Sequence, residues 1–167
     1  MIDRRAAIRL ALAALPAAWL AVSPARAQDF QKFTPFLVDL PGWTGAKADG
    51  MAMQMPGASM ITATREYKKG SSTLSAQIIS GAAAQGMLAP IQSGLKLETA
   101  EMHMNTATVD GLTVMRTFQV TDRAGTVLVA LGPSAVFTVG FKGVAEDEAF
   151  GLAKRFDWKA IQAALPK

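Results

Sequence analysis

Apolar and polar positions alternate with a period of two along most of this chain, the signature of strands with one buried face. Met51 to Met55 alternates, and Met60 to Tyr67 continues the pattern beyond Pro56-Gly57. That dipeptide suits the central positions of a type II turn. A two-residue loop here places Met55 opposite Ala58 and Met53 opposite Met60. Met51, Met53, Met55 and Met60 then project from one face of a hairpin, close enough to touch across the strands. Thr73 to Ser80 is a third strand in meander order after the polar turn Lys68–Ser71, with Leu74, Ala76 and Ile78 inward. Lys96 to Val109 is polar and β-branched and reads as one strand, closed by Asp110-Gly111. Leu112, Val114, Arg116, Phe118 and Val120 alternate after it. Thr126–Leu131 and Ala135–Phe141 are apolar on both faces, so this hairpin is expected at the centre of the sheet, covered on one side by helix.

Helical spacing is confined to a few places. Phe30 to Val38, broken by Pro35, supports one or two helical turns. Leu40-Pro41-Gly42-Trp43 is a turn that sets Trp43 over a sheet edge, and residues 44–50 read as loop. Between Gly81 and Gly94, Met87, Leu88 and Ile91 share one face with Leu95, while Pro90 and the glycines limit the segment to a short crossover helix. Glu146, Asp147 and Glu148 followed by Lys154 and Arg155 match the two ends of a helix dipole. Asp157 is a candidate N-cap for a last helix, Trp158 to Leu165, closed by Pro166. The whole describes an α+β fold, a single domain with a mainly antiparallel sheet, a short crossover helix and C-terminal helices packed on one face.

The first 27 residues change how composition is read. Arg4, Arg5 and Arg9 precede an apolar run from Leu10 to Val22, and Ala25-Arg26-Ala27 is a small-residue cleavage signal. This is a secretory pattern, with cleavage expected between Ala27 and Gln28. The run is shorter than the roughly 20 residues of a membrane span. Arg4-Arg5 resembles a twin-arginine signal, although Asp3 and Ala7 depart from it, and both export routes stay open. The expected mature domain, 28–167, is periplasmic or secreted. The formal charge of +4 belongs largely to the leader, since the rest holds 13 basic and 12 acidic residues. A nearly neutral surface gives no electrostatic reason for nucleic acid or anionic membrane as partner. With no cysteine in the chain, stability rests on packing rather than disulfides, and a lipid-anchored form is not expected.

Candidate chemistry is sparse. Without a thiol, and with His103 as the single imidazole, no nucleophile stands beside a base in the pattern covalent catalysis needs. Gly-x-Ser-x-Gly and phosphate-cradling glycine loops are absent. The aromatics fall at core-like positions rather than on a stacking platform, and the acidic residues lie in turns and at a helix start. The expectation is a non-catalytic protein. Zinc and calcium spacings are missing. Copper(I), however, favours thioethers, which makes Met51, Met53, Met55 and Met60 a candidate metal set and copper a candidate cofactor. Met102-His103-Met104 is no chelate, because strand alternation sends His103 to the face opposite its neighbours. The competing reading of the four methionines is gap-filling between sheet and helix, which is the expected one.

Leu40-Pro41-Gly42-Trp43, the methionine hairpin, Arg65-Glu66-Tyr67, Ile78-Ile79-Ser80-Gly81, the apolar hairpin Val127–Phe141 and Phe156-Asp157-Trp158 together resemble a group of small uncharacterised bacterial exported (periplasmic) α+β proteins. The resemblance implies a compact domain outside the cytoplasmic membrane and carries no catalytic residues. The expected role is that of a binding or accessory protein for an exported partner or small ligand. The surface expected for it is the sheet face left uncovered by the terminal helix, or a groove near Trp43 and Tyr67.

Overall fold

The structure, a computed structural model, describes residues 29–165. The proposed leader and the closing Pro166 lie outside the described residues. Among the described residues, nine strands and three helices follow two short 3-10 turns, Asp29–Lys32 and Thr34–Phe36. In chain order they are β1 (Thr44–Gly45), β2 (Asp49–Met55), β3 (Ala58–Lys69), β4 (Ser72–Gly81), α1 (Ala82–Gln92), β5 (Leu97–Glu98), β6 (Met102–Val109), β7 (Leu112–Gln119), β8 (Ala124–Gly132), β9 (Ala135–Lys142), α2 (Glu146–Ala153) and α3 (Trp158–Ala163). The molecule is thus one antiparallel sheet with a few helices. No described helix is long and apolar enough to cross a membrane.

Sheet order is β1-β3-β4-β9-β8-β7-β6-β5, with β2 beside β1 on the outer edge of β3. After β4 the chain leaves the sheet through α1, crosses to the far edge and returns strand by strand until β9 meets β4. The expected crossover helix is therefore present. The β2–β3 hairpin has the expected register, Met55 opposite Ala58 and Met53 opposite Met60, with Gly57 at φ +81° as the third position of a type II turn requires. Asp110 (φ 52°) and Gly111 (φ 82°) both sit in the left-handed region, so the β6–β7 loop is the type I′ turn that an Asp-Gly pair favours.

Several boundaries differ from the alternation. Residues 44–50 are not all loop, because Thr44-Gly45 pairs with Tyr67-Lys68 and Asp49 with Thr64. Small and polar residues make a poor strand alone, and here the edge of β3 supplies the hydrogen bonds. Lys96–Val109 is two strands rather than one. Thr99 breaks it by accepting from the amide of Met102 (2.9 Å) on its own hydroxyl, a local bond that competes with the ladder. Lys154 is the C-cap of α2 rather than part of its last turn, with Arg155 beyond it. Asp157 does cap α3, accepting from the Ala160 amide at 2.9 Å.

The sheet buries its two faces unequally. One face (Ala63, Tyr67, Leu74, Ile78, Val114, Val127, Val129, Phe137, Val139) joins Phe33, Leu37, Leu40 and Trp43 from the N-terminal segment and Ala149, Ala153, Phe156, Trp158 and Ile161 from α2 and α3. The other face holds a smaller cluster, in which Ala84, Leu88 and Ile91 of α1 cover Leu128 and Val136. The β8–β9 hairpin is thus covered on both sides, not one. On the first face Phe118 and Phe141 stack with centroids 6.2 Å apart over the intervening Gly125, where a Cβ would come within 2.1 Å of the Thr117 carbonyl.

Candidate functional site

Beyond the reach of α1 the second face is open, and two cross-strand rows define it. Register aligns Glu66, Ser75, Gly140, Thr126 and Thr117 in one row and Lys68, Thr73, Lys142, Ala124, Gln119 and Met102 in the next. Together they line a concavity of about 730 Å³ across six strands. The hollow follows from the small residues at its middle, since a Cβ at Gly140 would meet nothing within 4 Å. The hydroxyls of Thr73, Ser75, Thr117 and Thr126 and the Gln119 amide are among its polar groups. Lys68 and Lys142 lie in one row two strand intervals apart, about 10 Å, and outnumber the single carboxylate of Glu66. This is the sheet face that no C-terminal helix covers.

At the other expected surface, no groove opens onto the Trp43 and Tyr67 side chains among the described residues. Tyr67 is fully buried and Trp43 nearly so, because the N-terminal segment fills the space over them. Tyr67 donates its hydroxyl to the Val38 carbonyl at 2.7 Å. Burial pushes its pKa up to about 12, against the lowering effect of the Arg65 guanidinium. Arg65 lies over the Tyr67 ring, 5.2 Å from its centroid. It donates to the carbonyls of Leu37 (2.6 Å) and Ala46 (2.8 Å) and pairs with the Asp39 carboxylate. One guanidinium with five donors thus ties the N-terminal segment to β3. Nothing in the alternation of β3 marks Arg65, since an arginine at an inward position is legible only once its acceptors are in place.

The methionine hairpin departs from the gap-filling expectation. Met51, Met53 and Met55 are 53, 45 and 57 % exposed, and Met60 opposite Met53 is half-buried. They share the α1 side of the sheet, but α1 packs chiefly on β4, β9, β7 and the near end of β3 and leaves Met51, Met53 and Met55 about half exposed. Their opposite faces, by contrast, are used: Gly50 abuts the Phe30 ring and Ala52 packs on the main core.

His103 does face away from Met102 and Met104, as strand alternation requires. Its Nδ1 lies 3.4 Å from Glu146 at the start of α2. The other Glu146 oxygen is 3.9 Å from Arg116, which also approaches Asp147 at 3.8 Å and covers the Phe150 ring at 4.8 Å. The acidic first turn of α2 therefore does more than oppose its dipole: it fastens the helix to β6 and β7. A second concavity of about 380 Å³ opens here between Lys96, Glu98, Asn105 and this cluster, and Asn105 Oδ1 is buried in it without a protein partner. Among the described residues no three His, Asp or Glu side chains gather as metal ligands. Compared with protein-family models, with curated proteins and with solved structures, the chain has no match.

Proposed function

We propose that this is an exported, non-catalytic binding or accessory protein whose open six-strand face receives an extended ligand or partner segment carrying anionic groups. The observation that carries the reading is the concavity of about 730 Å³, lined by hydroxyls and by Lys68 and Lys142. Two ammonium groups in one row, with one carboxylate beside them, favour a ligand whose negative charges repeat about 10 Å apart, two strand intervals. His103 is on the opposite face, so the Thr and Ser hydroxyls of this surface have no imidazole base beside them. The C-terminal helices, in this reading, are packing elements that hold the sheet from behind. Export rests on the N-terminal sequence pattern alone.

The test is an amide NMR titration with hexaglutamate as an anionic probe and a neutral oligosaccharide as comparison. The expected result is shifts confined to β3, β4, β9, β8 and β7 with the anionic probe, lost in the Lys68→Glu/Lys142→Glu variant. Shifts elsewhere, or equal binding by that variant, would overturn the reading.

A further inference from the structure

We infer that Met51, Met53, Met55 and Met60 form a binding site for a single soft monovalent cation, copper(I), at the outer edge of the sheet. The site is separate from the open polar face, and register supplies its geometry. Met53 and Met60 are direct cross-strand partners, which places their Cβ atoms about 4.5–5.5 Å apart. Met51 and Met55 flank Met53 on the same strand face at about 6.6–6.8 Å per two residues. Each sulfur lies two bonds beyond its Cβ on a freely rotating stem. Met53, Met60 and either flanking methionine can therefore bring three thioethers onto one ion.

The surroundings leave that volume to the sulfurs. The residue beside Met60 on β4 is Gly81, which has no side chain, and Met51 and Met55 face Thr62 and Ala58. The backbone beneath is held by seven consecutive pairs from Asp49–Thr64 to Met55–Ala58. Donors are thus flexible while their anchors are fixed. Asp49, at the start of the same strand face, accepts from the Gly50 amide at 2.8 Å and lies about 13 Å along the strand from Met53, outside the donor set.

Donor chemistry selects the ion. Neutral thioethers suit copper(I), whereas zinc and calcium need imidazole, thiolate or several carboxylate oxygens. A structural role is a poor alternative, because among the described residues Met51, Met53 and Met55 stay exposed and only Met60 is half-buried. Strands favour β-branched and aromatic residues over methionine, and an exposed methionine is open to oxidation. Three in alternation at an uncovered edge answer neither preference, but they do answer the demand of a soft ion.

The test is an anaerobic titration of the purified protein with copper(I) against a competing chelator, paired with NMR of the methionine methyl groups using silver(I) as a redox-inert probe. One equivalent should bind, moving the methyl signals of Met53, Met60 and a flanking methionine and leaving Met102 and Met104 in place. Leucine is close to methionine in volume, so Met53→Leu/Met60→Leu should stay folded by circular dichroism. Its affinity should fall by at least the roughly 10- to 100-fold that loss of an outer-shell partner costs a metal site. Failure to compete with the chelator, undiminished affinity in the variant, or shifts centred on Met102 and Met104 would each overturn the assignment. So would self-association that these substitutions abolish in the absence of metal uptake, since the face would then be a contact between copies of the chain.

Discussion

Replacing Arg65 with alanine removes the fastening between the N-terminal segment and the sheet, and its cost can be worked out contact by contact. The bond to the Leu37 carbonyl is part-buried, and a charged donor there is worth about 1.5–3 kcal/mol. The Ala46 carbonyl is at an exposed site and recovers a water partner, so its loss costs about 0.5–1 kcal/mol. The Asp39 partner has an 87 % exposed side chain, and such a pair contributes at most about 1 kcal/mol. Arg65→Ala should therefore lose about 2–5 kcal/mol, most of it through Leu37. In urea unfolding this is a midpoint shift of about 1–2.5 M with the slope unchanged, taking m near 2 kcal/mol/M. Asp39→Ala should cost under about 1 kcal/mol. Arg65→Lys should fall between them, because one ammonium cannot span three acceptors that a planar fork reaches together. Native-state hydrogen exchange should show the loss first in residues 37–43. If Asp39→Ala cost as much as Arg65→Ala, the exposed ion pair rather than the carbonyl bonds would be the fastening, and the reasoning would fail.

Two further outcomes follow from the same core. Tyr67 is neutral in the fold with its pKa raised from 10.0 to about 12, so the folded state holds this proton more tightly than the unfolded chain does. Its contribution is intact below pH 10 and is lost as pH rises from about 10 through about 12. Comparing Tyr67→Phe with the parent isolates this from lysine titration: the variant should start about 0.5–1.5 kcal/mol lower, with the Val38 carbonyl unpaired, and the gap should narrow above pH 10. A gap that stays constant or widens there would count against neutral burial. Gly125→Ala should lose about 1–3 kcal/mol by overpacking, because the added Cβ meets the Thr117 carbonyl and the Phe141 ring, 2.7 Å away. Near-UV circular dichroism should change as the Phe118–Phe141 stack opens, and an unchanged spectrum with unchanged stability would refute the close approach.

Local pattern made the longer strands and the crossover helix legible because each is a local property, whereas β1 and the break between β5 and β6 were not. Met53 opposite Met60 followed from a two-residue loop, and Asp157 from cap chemistry. Adjacency of β4 and β9 was not legible, because it depends on where α1 delivers the chain some forty residues before the pairing closes. The site features missed for the same reason are those that need register across strands. Thr73 and Ser75 read as outward-facing, but their alignment with Lys142, Gly140 and Thr126 is a fact about several strands at once. Trp43 and Tyr67 read as a groove because aromatic residues near an edge look exposed until the segment that covers them is placed.

The length of α1 explains which surfaces remain for function. Eleven residues at 1.5 Å each give about 16 Å of helix, whereas the eight positions of the sheet path span about 34 Å at some 4.8 Å per interval. It packs toward one end of β3, β4, β9, β8 and β7, so the same strands are covered there and open further along their length. Sequence follows the shadow it casts. Ile79, Val136 and Leu128 sit beneath or beside it, while the rows beyond carry Thr, Ser, Lys and Gln. Val38, Leu95, Leu97 and Val120 are scattered exposed apolar residues, of the sort any surface carries. The β2 hairpin is different, since Met51, Met53 and Met55 are consecutive outward positions, apolar and outside the shadow. With this helix the same residues are exposed donors, which is why the copper titration, rather than a stability measurement, is the experiment that distinguishes their role.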